Sequence, residues 1–159
     1  YDDRDGALQS CADCGRCQRA CPAEAIDETG YHFQKCLRAH MGKERMPDWV
    51  MEKMRSMLGC DICQQVCPCN AGLECVPAMP EAFSLERLLK NDIREALELV
   101  GFNQKSGGRL LAHAAVLAAN LNRYDLLPLL EPLCSDPREA VRAAAEYAIS
   151  RLHNLKTMV

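Results

Sequence analysis

The spacing of its cysteines limits this chain more than any other feature. Ten of the eleven fall between residues 11 and 75, and only Cys134 lies beyond them. The first group reads Cys11-Ala-Asp-Cys14-Gly-Arg-Cys17-Gln-Arg-Ala-Cys21-Pro22. The second, Cys60-Asp-Ile-Cys63-Gln-Gln-Val-Cys67-Pro68, repeats the two-residue gap, the three-residue gap and the closing proline. It lacks an adjacent first cysteine, but Cys36 lies upstream with 23 residues between it and Cys60.

Three chemistries compete for such a pattern. An odd number of cysteines with no visible secretory signal disfavours a disulfide framework, and Cys11, Cys14 and Cys17 are too close in sequence to bridge comfortably. A structural zinc site needs four ligands, usually as two CxxC pairs some 15–20 residues apart. Here 45 residues separate the Cys11/Cys14 pair from the Cys60/Cys63 pair, and further cysteines surround both. The first run instead has the spacing of two-cluster iron–sulfur proteins, in which three cysteines wrap one cluster and the fourth, before proline, ligates the other. Crossing the fourth ligands predicts Cys11, Cys14, Cys17 and Cys67 for one 4Fe–4S cluster, and Cys21, Cys36, Cys60 and Cys63 for a second. Gly15 is expected to let the backbone approach the inorganic sulfides, and Pro22 to stiffen the exit from the loop. Cys69, Cys75 and Cys134 are left without a role.

The stretch between Cys36 and Cys60 reads as a helical insert over 37–59. Pro47 and Asp48 suit a first turn, Gly59 suits a C-terminal cap, and Val50, Met51, Met54, Met57 and Leu58 fall at helical spacing. This face is expected to pack on the cluster loops; a sharper alternative has the methionines shield a cluster from water.

Past residue 76 the character changes. A linker over 77–84 precedes a stretch rich in Ala and Leu. Ser84 is placed to cap a helix from Leu85, within an apolar-periodic stretch that ends at Val100 before Gly101. An internal repeat then follows, since Leu110-x3-Ala114-x2-Leu117-Ala118-x2-Leu121 shifted by 31 residues lands on Val141-x3-Ala145-x2-Ala148-Ile149-x2-Leu152. Residues 125–134 read as an antiparallel partner bent at Pro132. Asp136, Pro137 and Glu139 read as N-cap, first helical residue and capping-box acid of the second long helix. Two such repeats need neighbours to bury their faces, so the cysteine-rich part is expected to cap one side. His113, among alanines, reads as a packed histidine rather than a ligand.

Charge and length exclude several classes. Residues 1–85 carry nine Lys/Arg against thirteen Asp/Glu, net −4, and residues 86–159 carry ten against nine, net +1. Neither half is a basic arm for nucleic acid. The longest apolar stretch, Leu110 to Leu121, falls short of the roughly 20 residues a membrane span needs. A cytoplasmic location is expected. The chain opens on Tyr1 rather than Met and reads as a piece of something longer, or as an offshoot that kept only these parts.

The order of parts resembles the C-terminal portion of the epoxyqueuosine reductase family. The resemblance rests on Cys11 to Pro22, Lys35-Cys36-Leu37, Leu58 to Pro68, Asn70 and the repeats from Arg109 to Leu152, which are similar to HEAT-type repeats. Reductive dehalogenases are similar in the cluster part but lack the helical tail. The resemblance implies an α+β fold: a two-cluster, bacterial-ferredoxin-like module over 1–76, then a small all-α HEAT-like repeat over 85–159. In that family electrons pass through both clusters to a cobalamin held by an N-terminal domain, which supports reduction of epoxyqueuosine in tRNA. No cobalamin domain is present in this sequence, so that cofactor requires an upstream domain or a partner, and no catalytic residue carries over. Cys69 stands where the family commonly has an aromatic residue. The expected function is electron transfer between redox donor and acceptor proteins or domains. A tRNA partner is implied by the resemblance alone, and the alternative function is a binding module whose helices dock a protein or tRNA while the clusters act as structural staples.

Overall fold

The computed structural model describes residues 11–43, 45–72, 79–101 and 106–156. Cys75 and the first two residues of the expected linker, Pro77 and Ala78, lie outside them. Strand is confined to one small hairpin among the described residues: β1 (Ile26–Asp27) pairs antiparallel with β2 (Gly30–Tyr31), Ile26 facing Tyr31 and Asp27 facing Gly30. The other regular elements among the described residues are helical, so the β part of the expected α+β fold is slight.

Short helices carry the cysteine-rich part. They are α1 (Arg16–Ala20), α2 (Leu37–Met41), α3 (Asp48–Lys53) and α4 (Ile62–Gln65). Each is far below the length at which a helix is stable by propensity alone, so packing and ligation must hold them. The expected insert helix is shorter than its apolar spacing suggested. α3 begins at Asp48 as expected but stops at Lys53, because Met54 turns to extended backbone at φ −66°, ψ 132°. Met54 and Met57 are buried all the same, reached by an irregular segment rather than by a helix face. Gly59 therefore does not cap this helix. A Cβ there would collide with the Arg38 guanidinium, which donates to the Leu58 carbonyl at 2.8 Å.

The expected helix over 85–100 is also divided. Ser84 caps α5 (Leu85–Leu89), its hydroxyl accepting from the Arg87 amide at 3.3 Å. Asn91 then adopts a left-handed conformation at φ 61°, which asparagine tolerates, and α6 (Arg94–Leu99) follows. Between the two long helices, residues 124–135 form a 3-10 turn, α8 (Leu127–Leu130) and a second 3-10 segment (Glu131–Ser135) containing Pro132.

The two long helices α7 (Gly107–Asn120) and α9 (Glu139–Lys156) pack on each other and form the centre of the core. Leu110, Ala114, Leu117 and Ala118 of the first motif are buried, as are Val141, Ala145, Ala148 and Leu152 of the second. The alanines let the helix backbones approach closely. α9 starts two residues later than its sequence suggested. Asp136 accepts from the Arg138 amide at 2.9 Å and its guanidinium at 2.8 and 2.7 Å, so Pro137 precedes the helix instead of opening it. Arg142 reaches back to the carbonyls of Asp136 and Pro137 at 2.8 and 2.9 Å.

Candidate iron–sulfur site

The cysteine loops are shaped by backbone that only a few residues tolerate. Gly15 is left-handed at φ 65°, and a Cβ there would lie 2.8 Å from the Arg19 guanidinium, which braces the loop by donating to the Cys14 carbonyl at 3.0 Å. Asp13 is also left-handed at φ 47°. Left-handed residues alternating with ordinary ones turn successive N–H groups inward, the concavity that accepts anionic sulfur. α1 then carries Cys17, and Cys21 ends it with its amide on the Cys17 carbonyl at 3.1 Å.

The second run is built alike. Cys60 follows Gly59, Cys63 lies in α4, and Cys67 precedes the 3-10 turn Pro68–Asn70. Cys36 stands at the N-terminus of α2. Because α1 packs against α4, the two runs face each other. Asn70 locks the second by donating to the Gln64 carbonyl at 2.9 Å.

Two groups of sulfurs emerge. Around Cys60, burial pushes the thiol up, and the neighbouring Cys36, Cys21 and Cys63 push it further. These four are the cysteines the crossed pattern assigns to the second cluster. Cys11 and Cys67 meet around Cys69, whose half-buried thiol is also pushed up, first by desolvation and then by Cys67. Cys11 and Cys14 are exposed, while Cys17 and the five other expected ligands are half-buried. Among the described residues, no three Cys, His, Asp or Glu side chains converge tightly enough to hold one metal ion. Zinc draws its sulfurs to about 2.3 Å from a single point, whereas a four-iron cube is held at its corners and needs them farther apart. The donor set is all thiol, and the four cysteines gathered around Cys60 fit one such cube.

Hydrogen bonds to sulfur, which tune such clusters, are already in place. The Ala25 amide donates to Cys21 Sγ at 3.3 Å, and the Ile62 amide donates to Cys60. The Tyr31 hydroxyl bonds to Cys36, which with burial pushes the phenol up to about 12. Sequence reasoning missed Tyr31; its place one strand before Cys36 was the available signal. It also left Cys69 without a place, which the structure puts beside Cys67 and Cys11, its sulfur accepting from the Ala12 amide. Cys134 packs in the helical half beside Glu146 and Glu131.

Comparison with known proteins agrees with this geometry. Residues 10–70 match the 4Fe-4S double cluster binding domain. The chain is 33% identical over 165 residues to the epoxyqueuosine reductase of Staphylococcus aureus, covering 96% of this chain and 43% of that protein. Against the Bacillus subtilis epoxyqueuosine reductase the identity is 32% over 157 residues, covering 89% and 40%. The solved structure of epoxyqueuosine reductase from Bacillus subtilis superposes with a TM-score of 0.74 at 26% identity, over 92% of this chain and 43% of that one. An epoxyqueuosine reductase crystallised with an epoxyqueuosine-modified tyrosine tRNA stem loop gives 0.73 at 26%, over 90% and 42%. The chain matches the C-terminal part of the epoxyqueuosine reductases. It spans less than half the length of these relatives. The double-cluster region holds two 4Fe–4S clusters, and the two long helices follow it in the chain.

Proposed function

We propose that this chain relays electrons through two 4Fe–4S clusters, one held by Cys11, Cys14, Cys17 and Cys67 and the other by Cys21, Cys36, Cys60 and Cys63. When bound, each cluster takes up and gives back one electron. The observation that carries the reading is the gathering of Cys21, Cys36 and Cys63 around Cys60, which joins both cysteine runs and the distant Cys36 at one place. The chain's own residues set the environment: amide and phenol hydrogen bonds to the sulfurs, and exposed Cys11 and Cys14 at the edge where a partner can approach.

The relatives point to the recipient. An epoxyqueuosine reductase delivers electrons to a cobalamin in another domain, so a cobalamin-bearing domain or partner is the proposed acceptor and tRNA the proposed substrate of the whole assembly. The helical half, with its 31-residue repeat, reads as a HEAT-like docking element for that assembly. No helix among the described residues is long and apolar enough to cross a membrane. A cytoplasmic location suits a chain whose thiols must stay reduced.

Anaerobic reconstitution tests the assignment. Iron and sulfide should each reach about eight per chain. Cys60→Ala should lower both to about half, and Cys69→Ala should leave them unchanged. Dithionite should reduce both clusters, as followed by electron paramagnetic resonance. Full iron content in Cys60→Ala overturns the ligand set. Clusters that refuse an electron, in a chain that binds RNA or protein tightly, favour structural staples beneath a docking surface.

A further inference from the structure

His113 sits midway along α7, 3% exposed, with Nδ1 2.7 Å from the Met57 carbonyl and Nε2 2.9 Å from the Met41 carbonyl. Both carbonyls are acceptors, and a neutral imidazole has one N–H. One contact is therefore a hydrogen bond in the neutral form, and the other becomes one only when a second proton arrives. Both carbonyls belong to the segment that carries the second cluster's ligands. Met57 lies three residues before Cys60, and Met41 lines a cavity of about 70 Å³ together with Leu37, Met54, Gly59 and Cys60.

The same helix face holds the segment at two further points. Arg109 donates to the Gly42 carbonyl at 3.0 Å, and Asn120 donates to the Met51 and Met54 carbonyls at 2.7 and 2.8 Å. Tyr147 on α9 fixes the Asn120 amide by donating to its oxygen at 3.1 Å. Proton occupancy at His113 is thus tied to backbone that is pinned on both sides.

We propose that His113 is a proton-binding site coupled to the second cluster: when that cluster gains an electron from a one-electron reductant, the imidazole takes a proton from water and both carbonyls become hydrogen-bonded. The inference rests on the ligand set proposed above. One electron and one proton enter, and no bond to carbon forms or breaks. The driving force is charge. A cluster that has gained a negative charge favours a cation at a buried site in the same fold more than it did before.

The surroundings set the resting state as neutral. Burial holds the imidazole below the ordinary histidine range, the two carbonyls pull the other way, and Arg109 adds to the lowering. The charged groups that share a small cavity with His113 are Arg109 on its own helix and Lys43 and Arg45 after α2; α3 and α9 turn Met51, Ala140 and Ala143 to it. On α2, His40 points to the Gln34 carbonyl at 2.7 Å. All the charged neighbours in that cavity are cations, so the neutral ring awaits a negative charge elsewhere.

The test is a redox titration of the reconstituted chain at a series of pH values, with the second cluster identified as the signal that Cys60→Ala removes. Its potential should fall with rising pH over one interval, approaching one proton per electron, while the first cluster's potential stays level. His113→Gln, which keeps an amide donor but cannot titrate, should flatten the slope. Proton uptake on reduction, read with an indicator dye in the unaltered chain, gives the same answer without a variant. A level potential and no proton uptake in a chain whose clusters both reduce overturns the coupling and leaves the relay standing. A slope that persists in His113→Gln places the proton elsewhere and also overturns it. Clusters that take no electron sink relay and coupling together.

Discussion

The cysteine loops and the α7–α9 pair solve the problem of folding in opposite ways. Between residues 11 and 36 only Ala25 is buried among apolar residues, whereas α7 alone buries Leu110, Leu111, Ala112 and every residue from Ala114 to Ala119. Burying apolar surface is the main favourable term in folding, so the helical half can stand on its own packing. The loops have almost none, and their short helices and left-handed turns need another source of order. Ligation supplies it, since free energy of metal binding becomes free energy of folding where the site does not exist in the unfolded chain. The insert between Cys36 and Cys60 belongs to the second kind of structure by packing and to the first by position. Its methionines sit in the helical core while Cys36 and Cys60, both proposed as ligands, flank it.

Removing iron should break this comparison most visibly. Amides over residues 11–36 and 60–72 should lose protection from hydrogen exchange when the clusters are chelated away anaerobically, while α7 and α9 keep theirs. Mass spectrometry of deuterium uptake before and after chelation reads both regions at once. Helices that lose protection together with the loops would show that the clusters stabilise the whole molecule rather than the loops.

The converse change attacks the helical half. Leu111 is completely buried in α7, and Leu111→Ala should cost about 2–5 kcal/mol of stability through lost burial and the cavity left behind. Denaturant unfolding followed by helix signal measures it. Iron content should hold at low denaturant, because the loops draw their order from ligation. A smaller, local effect belongs to the boundary between the two halves. Gly59→Ala forces the Arg38 guanidinium off the Leu58 carbonyl next to Cys60, so the second cluster should become easier to remove while the first does not. Equal sensitivity of both clusters to a chelator would count against that placement.

How much of this was legible in sequence follows the same division. Cysteine spacing is a direct record of ligand order along the chain, and it is what marks the region as a double-cluster one. The long helices were legible because α7 and α9 each keep their period over several turns. Where sequence and structure part, the cause is local. Met54 and Met57 kept helical spacing without a helix, because their burial is demanded by α7 and met by irregular backbone. Asn91 divided a periodic stretch by taking a left-handed turn, which one asparagine among good helix formers barely signals. His113 and Asn120 were visible as polar breaks in an apolar run. Their partners were not, since main-chain carbonyls some 56 to 72 residues away leave no trace in side-chain pattern.

The smallest expected effect lies in the hairpin of the loop region, which a cluster of side-chain hydrogen bonds closes. Asp27 accepts from the Thr29 amide at 2.8 Å and its hydroxyl at 2.6 Å, and meets His32 at 2.7 Å, closing the β1–β2 hairpin beside Tyr31 and Cys36. The Thr29 hydroxyl, then His32, hold this carboxyl far below the usual aspartate range. A carboxyl depressed by folding contributes stability above its unfolded pKa, near 3.9, and loses it as pH falls towards the folded value. At neutral pH the contribution is complete, and acidification from pH 4 downwards should remove it gradually. The side chain is exposed, so solvent screens the interaction and global stability should barely change. The readout is therefore local: the Thr29 amide resonance should hold steady through pH 4 and move only in stronger acid, and Asp27→Asn should abolish that late titration. A Thr29 amide that titrates near pH 4 would mean that Asp27 does not hold the hairpin, leaving its order to the ligation proposed at Cys36.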